Sequence, residues 1–184
     1  MVLTMKKLLF ILLCLPMLGF GQDNMLDKYN SLLVDQYKEE NIVDLLDLTH
    51  IKINTLPLPH NDIVLLPCVV NGILKYFVFD TGCDAGLNIT EKMFSTMIEK
   101  EKIYYEDYLG DAESIMANGS TEISRVIIIN EVLLGSPNGA IRLKNVLTTV
   151  SESDEAMLLL GQDIIKRFST VTINNKEGYI NFQK

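Results

Sequence analysis

The stretch IVLLPCVVNGILKYFVFDTG, residues 63–82, decides how this chain is read. Two apolar runs, residues 63–70 and 73–79, flank Asn71-Gly72. Asn-Gly supplies the positive φ angles of a type I′ turn, so the stretch predicts a β-hairpin. The second run is nearly all apolar and reads as a strand buried on both faces. Asp80 ends it, followed by Thr81 and Gly82. A carboxylate at the end of a buried strand is costly, and proteins tolerate it mainly where the carboxyl does chemistry.

Outward from this hairpin, turn signals continue to alternate with short apolar runs. Pro57, Pro59 and Pro67 punctuate the region after Ile51. Thr90 is placed as the N-cap of a helix over residues 91–100, with Met93, Phe94, Met97 and Ile98 on its apolar side. A tyrosine-rich acidic stretch holds Tyr104, Tyr105 and Tyr108. A second hairpin turns at Asn118-Gly119, and its arms, residues 113–117 and 120–125, are polar enough to stand off the body of the domain. Residues 126–129 read as a buried strand, 135–139 as a loop, and 141–150 and 157–160 as strands. Gly161 stops the last of these, and a short helix follows over 162–168. Residues 171–173 and 179–182 form a closing hairpin. Many short strands with few helices predict a mostly β barrel or sandwich.

Before residue 51 the pattern differs. Lys6 and Lys7 precede an apolar stretch, residues 8–20, and small residues follow, which is the layout of a signal peptide over 1–21. Leu12-Leu13 stand before Cys14 where a lipid-anchor signal needs small residues, which argues against lipidation. Residues 22–50 read as a helical N-terminal segment: Leu26, Tyr29, Leu33 and Tyr37 recur at helical spacing over 24–48, broken near Asn41. It is either a packing appendage or a regulatory pro-segment, and composition does not separate the two. The remaining 51–184 form one domain. The expected localisation is exported, either periplasmic or secreted, with no stable membrane insertion once the signal is cleaved.

Composition narrows the chemistry. The 184 residues are 48% hydrophobic, ample for a core, and carry a formal charge of −8. So acidic a chain has no electrostatic footprint for nucleic acid, and it lacks a polybasic patch for anionic membranes. The only two histidines, His50 and His60, lie outside any zinc motif or nucleophile–base pattern. No metal and no organic cofactor is expected, and no phosphate or dinucleotide loop is present. Beyond the signal, Cys68 and Cys83 are the cysteines, read as two separate thiols because two cysteines make no disulfide framework. Asp80 remains. As turn chemistry alone, Asp-Thr-Gly is ordinary.

Taken in order, the Asp80-Thr81-Gly82 triplet, the polar hairpin about thirty-five residues later and Leu159-Leu160-Gly161 near the end make the chain resemble the retropepsin-like aspartic proteases, especially bacterial members with a single Asp-Thr-Gly. The resemblance covers residues 56–182. It implies a mostly β, closed β-barrel of the acid protease fold with short helices, carrying the N-terminal helical appendage. It also implies an exported aspartic endopeptidase acting on a peptide or protein substrate. Asp80 would be the catalytic aspartate. Thr81 and Gly82 would support the site, Thr81 by a hydroxyl bond across a dimer and Gly82 by letting the backbone approach closely. Cys83 and Asp84, with Ala117, Asn118 and Gly119 of a flap-like hairpin, would contact substrate. Because the chain is too short for two such motifs, a C₂ homodimer would bring two Asp80 side chains together.

Two departures from the family pattern stand out. Cys83 replaces the usual Ala or Ser. Gln162 stands where retroviral members carry an Arg that pairs with the Asp at position 84. These departures motivate a different reading, a non-catalytic peptide-binding module on the same fold. A plain exported β domain with a chance triplet is the third.

Overall fold

The protein is described from a computed structural model, over residues 42–45, 49–56, 63–115, 119–136 and 139–184. Eleven strands and two α-helices follow in order among these residues, with a 3₁₀ turn at Tyr105–Asp107 before β6: β1 (Ile42–Asp44), β2 (His50–Asn54), β3 (Leu65–Val70), β4 (Ile73–Phe79), β5 (Leu87–Thr90), α1 (Glu91–Glu99), β6 (Tyr108–Ile115), β7 (Thr121–Ser136), β8 (Gly139–Ser151), β9 (Leu159–Leu160), α2 (Gln162–Ile165), β10 (Thr170–Asn174) and β11 (Tyr179–Gln183). The architecture is mostly β, as the turn spacing predicts. No helix among the described residues is long and apolar enough to cross a membrane.

Eight strands form one sheet in the order β1-β8-β5-β9-β4-β3-β7-β6, and β7 also pairs with β8. That extra pairing joins β8, β5, β9, β4, β3 and β7 into a ring. Ring closure is carried by the two longest strands, β7 of 16 residues and β8 of 13, which pair antiparallel from Arg125↔Val150 to Ser136↔Gly139. Inside the ring lie Leu66, Phe77, Leu87, Ile89, Ile127, Ile129, Leu134, Ile141 and Leu143, all fully buried. Each such side chain contributes about 1.5–3 kcal/mol on burial. A second, three-stranded sheet, β10-β11-β2, places Ile53, Ile180 and Phe182 in the same core.

The hairpin of residues 63–82 forms as its turn chemistry requires. Asn71 and Gly72 have φ of 45° and 83°, and β3 pairs with β4 from Leu65↔Val78 to Val70↔Ile73. Asn71 does more than turn: its Oδ1 accepts the Glu131 N–H at 3.0 Å and its Nδ2 donates to the Lys102 carbonyl at 2.8 Å. Thr90 caps α1, its Oγ1 accepting the Met93 N–H at 3.2 Å. Met93, Phe94 and Met97 face the core, whereas Ile98 is half exposed.

Several expectations need correction. β4 is not buried on both faces: only Phe77 is fully buried, Lys75 in mid-strand is exposed, and the other five residues are half-buried. Ile42, expected on a helix, belongs to β1, which pairs in parallel with β8 from Ile42↔Ala140 to Asp44↔Arg142. A sheet edge that offers backbone groups overrides the weak helical periodicity there. The rest of the helical reading, and the signal peptide, lie outside the described residues. Residues 87–90 form β5, a strand that sequence reading missed. Residues 126–129 are the middle of β7 rather than a separate strand, and the loop expected over 135–139 is largely taken up by the ends of β7 and β8.

The β6–β7 hairpin also differs from its expected form. It does not stand off the body along its length. Glu122 Oε1 accepts from Ser151 Oγ at 3.0 Å and from the Glu152 N–H at 2.9 Å. Lower down, Arg125 stacks over the Phe94 ring at 4.7 Å and pairs with Glu91. The polar residues that suggest a solvated arm are the ones that tie it to β8 and α1.

Candidate active site

Asp80 leaves the end of β4, and the chain loops through Thr81 to Gly86 before entering β5. β9 runs between these two strands, parallel to β4 (Val78↔Leu159, Phe79↔Leu160) and antiparallel to β5 (Leu87↔Leu160). The residues after β9 therefore lie under the loop. Asp80 N–H donates to the Leu160 carbonyl at 2.9 Å, Gly161 N–H to the Gly86 carbonyl at 2.9 Å, and Gln162 N–H to the Cys83 carbonyl at 2.7 Å. The loop is laced to Leu160-Gly161-Gln162 along its length.

Gly161 is required by this approach. A Cβ there would stand 2.3 Å from the Cys83 carbonyl oxygen and 2.5 Å from that of Ala85. Its φ of −123° is open to any residue, so the constraint is space and not conformation. Gly86 is similar, since a Cβ would meet Val146 Cγ1 at 2.6 Å.

The Asp80 carboxylate is oriented within its own loop. Its Oδ1 accepts the Gly82 N–H at 2.8 Å, an Asx-type turn that fixes the side chain. Asp80 is half-buried, while Thr81, Gly82 and Asp84 are exposed in the single chain. Cys83 is half-buried, with its Sγ 4.0 Å from the Ala85 carbonyl. Burial pushes its thiol pKa up, a backbone hydrogen bond at Ala85 opposes this, and the Asp80 and Asp84 carboxylates add to the rise. Cys68 is fully buried and burial alone drives its pKa far up. Both thiols are free.

Sequence alone presents Gln162 only as a missing Arg. It has a place of its own: its Nε2 donates to the Thr81 carbonyl at 2.9 Å. One residue on, Asp163 pairs with Arg167 at 2.7 Å, and Arg167 also donates to the Lys144 carbonyl at 2.7 Å and the Asn145 carbonyl at 3.0 Å. This second layer fixes α2 to β8 behind the loop. The adjacent Gly161 signals a close approach in the sequence; Arg167 gives no local signal.

The candidate residues separate into two groups. Asp80, Thr81, Gly82, Cys83 and Asp84 share the one loop. Gly119 lies at the end of the β6–β7 hairpin, with φ of 83° and open space where a Cβ would be. Ala117 and Asn118 lie outside the described residues. No three His, Cys, Asp or Glu side chains among the described residues are grouped to hold a metal ion.

The fold has a counterpart among solved structures. A retropepsin-like aspartic protease from Rickettsia conorii matches with a TM-score of 0.51 at 20% identity, over 72% of this chain and 89% of that one. The fold is that of the retropepsin-like aspartic proteases. The retroviral protease-like domain of Ddi1 from Leishmania major also matches, with a TM-score of 0.44 at 16% identity over 65% of this chain and 87% of that one. No family model and no curated protein matches the sequence.

Proposed function

We propose that this chain is an exported aspartic endopeptidase that works as a homodimer, with Asp80 of each copy forming the catalytic pair. The observation that carries the reading is the Asp80 loop: a half-buried carboxylate oriented by the Gly82 N–H on a retropepsin-like fold. The exposure of Thr81 and Gly82 in the single chain suits a loop that a second copy covers.

On this reading, two carboxylates about 3 Å apart share one proton, since like charges that close do not both ionise. The ionised carboxylate takes a proton from a water held between them, and the water oxygen attacks the scissile carbonyl carbon. The protonated carboxyl gives its proton to the carbonyl oxygen, forming a gem-diol. As the diol collapses, its hydroxyl gives a proton to the ionised carboxylate while the other carboxyl protonates the departing amine, so the pair again holds one proton. The chemistry needs neither metal nor cofactor. Peptide would lie between the Asp80 loops and the hairpins that carry Gly119.

Peptide cleavage by the purified protein, lost in Asp80→Asn and blocked by a statine-type inhibitor, is the expected result. Full cleavage by the Asp80→Asn protein sinks the proposal. Peptide binding without turnover at acidic and neutral pH, by a protein that stays monomeric, would favour the peptide-binding module instead.

A further inference from the structure

A cavity of about 340 Å³ lies between β4, α1 and the segment leading into β9. Its charged lining is Lys75, Lys92 and Lys100, against one carboxylate, Asp154. The placement follows from the elements. Lys92, Thr96 and Lys100 recur every four residues and stand on one face of α1 and its C-cap. Lys75 shares a face of β4 with Ile73 and the buried Phe77.

None of the three ammonium groups makes a hydrogen bond or ion pair among the described residues. Two carboxylates on these elements have partners: Asp154 Oδ1 accepts the Lys92 backbone N–H at 2.8 Å, and Glu91 pairs with Arg125. The first turn of α1 is thus already closed by Thr90 and Asp154, and its end is not the attracting feature. What remains is an excess of positive charge around one concave space, in a chain whose formal charge is −8. Like charges so placed repel one another, and a bound anion would relieve that repulsion.

The geometry points to a binding site for a small multivalent anion, carrying two or more carboxylate or phosphate oxygens, that bridges Lys75 and the lysines of α1. Ile73 and Leu158 give the cavity an apolar wall for a short carbon skeleton. A small ligand fits better than a polyanion. The negative chain repels a large anion over its whole length, whereas a small one meets mainly the field within a Debye length of about 8–10 Å. The site is separate from the Asp80 loop: five residues of β4 at about 3.3 Å each put Lys75 roughly 16 Å from Asp80. It therefore stands or falls independently of the protease reading.

Titration calorimetry on the purified protein with citrate, succinate, inorganic phosphate and pyrophosphate tests this, at low and physiological ionic strength. The expected result is one site per chain for citrate or pyrophosphate, weakened by salt and by about tenfold or more in Lys75→Gln/Lys92→Gln. Both lysines are exposed, so the variant should keep its urea midpoint. Binding of citrate but not pyrophosphate assigns a carboxylate ligand, and the converse assigns a phosphate ligand. Failure of all four anions to bind at millimolar concentration overturns the inference, as does equal binding by the double variant. Should the double variant not fold, each single variant must still weaken binding, and unchanged affinity in both single variants overturns it equally.

Discussion

Gln162 Nε2 donates to the carbonyl oxygen of Thr81 at 2.9 Å, tying the loop that carries Asp80 to the first turn of α2 within the same chain. Together with the bonds from the backbone N–H groups of Asp80, Gly161 and Gln162, it makes the loop part of the packed body. A charged pair in this position would hold the loop through salt-sensitive attraction. A neutral amide holds it with a directed hydrogen bond that salt hardly screens.

Replacing Gln162 tests that tie. Gln162→Leu should cost about 0.5–1.5 kcal/mol in urea unfolding, the usual net worth of one hydrogen bond. Gln162→Glu should cost more at neutral pH, because an ionised carboxylate would face the Thr81 carbonyl with no donor. The introduced carboxyl would then have a folded pKa raised above its unfolded value of about 4.3. Its stability should be recovered below that pH and lost as pH rises through the folded value. Equal stability of the two variants across the acid-to-neutral range would remove the tie from the account.

The two glycines of the loop region should respond differently. Gly161→Ala drives a Cβ to 2.3 Å from the Cys83 carbonyl oxygen, with backbone on both sides, so the loop must move. A loss of about 3 kcal/mol or failure to fold is expected, at the upper end for overpacking. In Gly82→Ala the Cβ lies 3.2 Å from Asp80 Oδ1, a contact that a small shift of the carboxylate can relieve. Its urea midpoint should change little, while on the proposed protease reading peptide cleavage falls sharply. Wild-type stability of Gly161→Ala would rule out the close approach of these backbones.

Thiol labelling should separate the two cysteines. Cys68 is fully buried and its pKa is driven up, so iodoacetamide should leave it unmodified until the protein unfolds. Cys83 is half-buried with a raised pKa, so it should react in the folded protein more slowly than a free thiol, and faster as pH rises. Peptide mass mapping after timed alkylation reads both. Labelling of Cys68 ahead of Cys83 in folded protein would contradict the arrangement.

Arg167 should matter more than a surface charge does. It donates to the Asp163 side chain and to the Lys144 and Asn145 carbonyls, a fork that lysine does not reproduce. Arg167→Leu should destabilise by about 1.5–3 kcal/mol, and Arg167→Lys should recover less than half of that. Thermal and urea unfolding measure both, and full rescue by lysine would mean that charge alone mattered.

Much of the site is legible in the sequence because its signals are local. Asn71-Gly72 fixes a turn by its φ angles, Thr90 fixes a helix start by one hydrogen bond, and Asp80 follows from where β4 ends. The polar arms of the second hairpin mislead for a physical reason: Glu122 and Arg125 look solvated in sequence, but their partners Ser151, Glu152, Glu91 and Phe94 lie roughly thirty residues away along the chain. Gln162 likewise looks like a loss until Thr81, eighty-one residues earlier, is seen beside it.

Local preference in the chain accounts for the strands around residues 63–82, the helix begun by Thr90, and the one candidate carboxylate. Dihedral preference, capping and hydrophobic alternation act over a few residues and survive without a fold. Three-dimensional packing was needed for the rest: β7 closing on β8, β9 passing between β4 and β5, and residues 42–44 joining the edge of the sheet. It also set Gly161 and Gln162 beneath Thr81 and Cys83. Those arrangements depend on register and close backbone approach between distant segments, and no local preference encodes them.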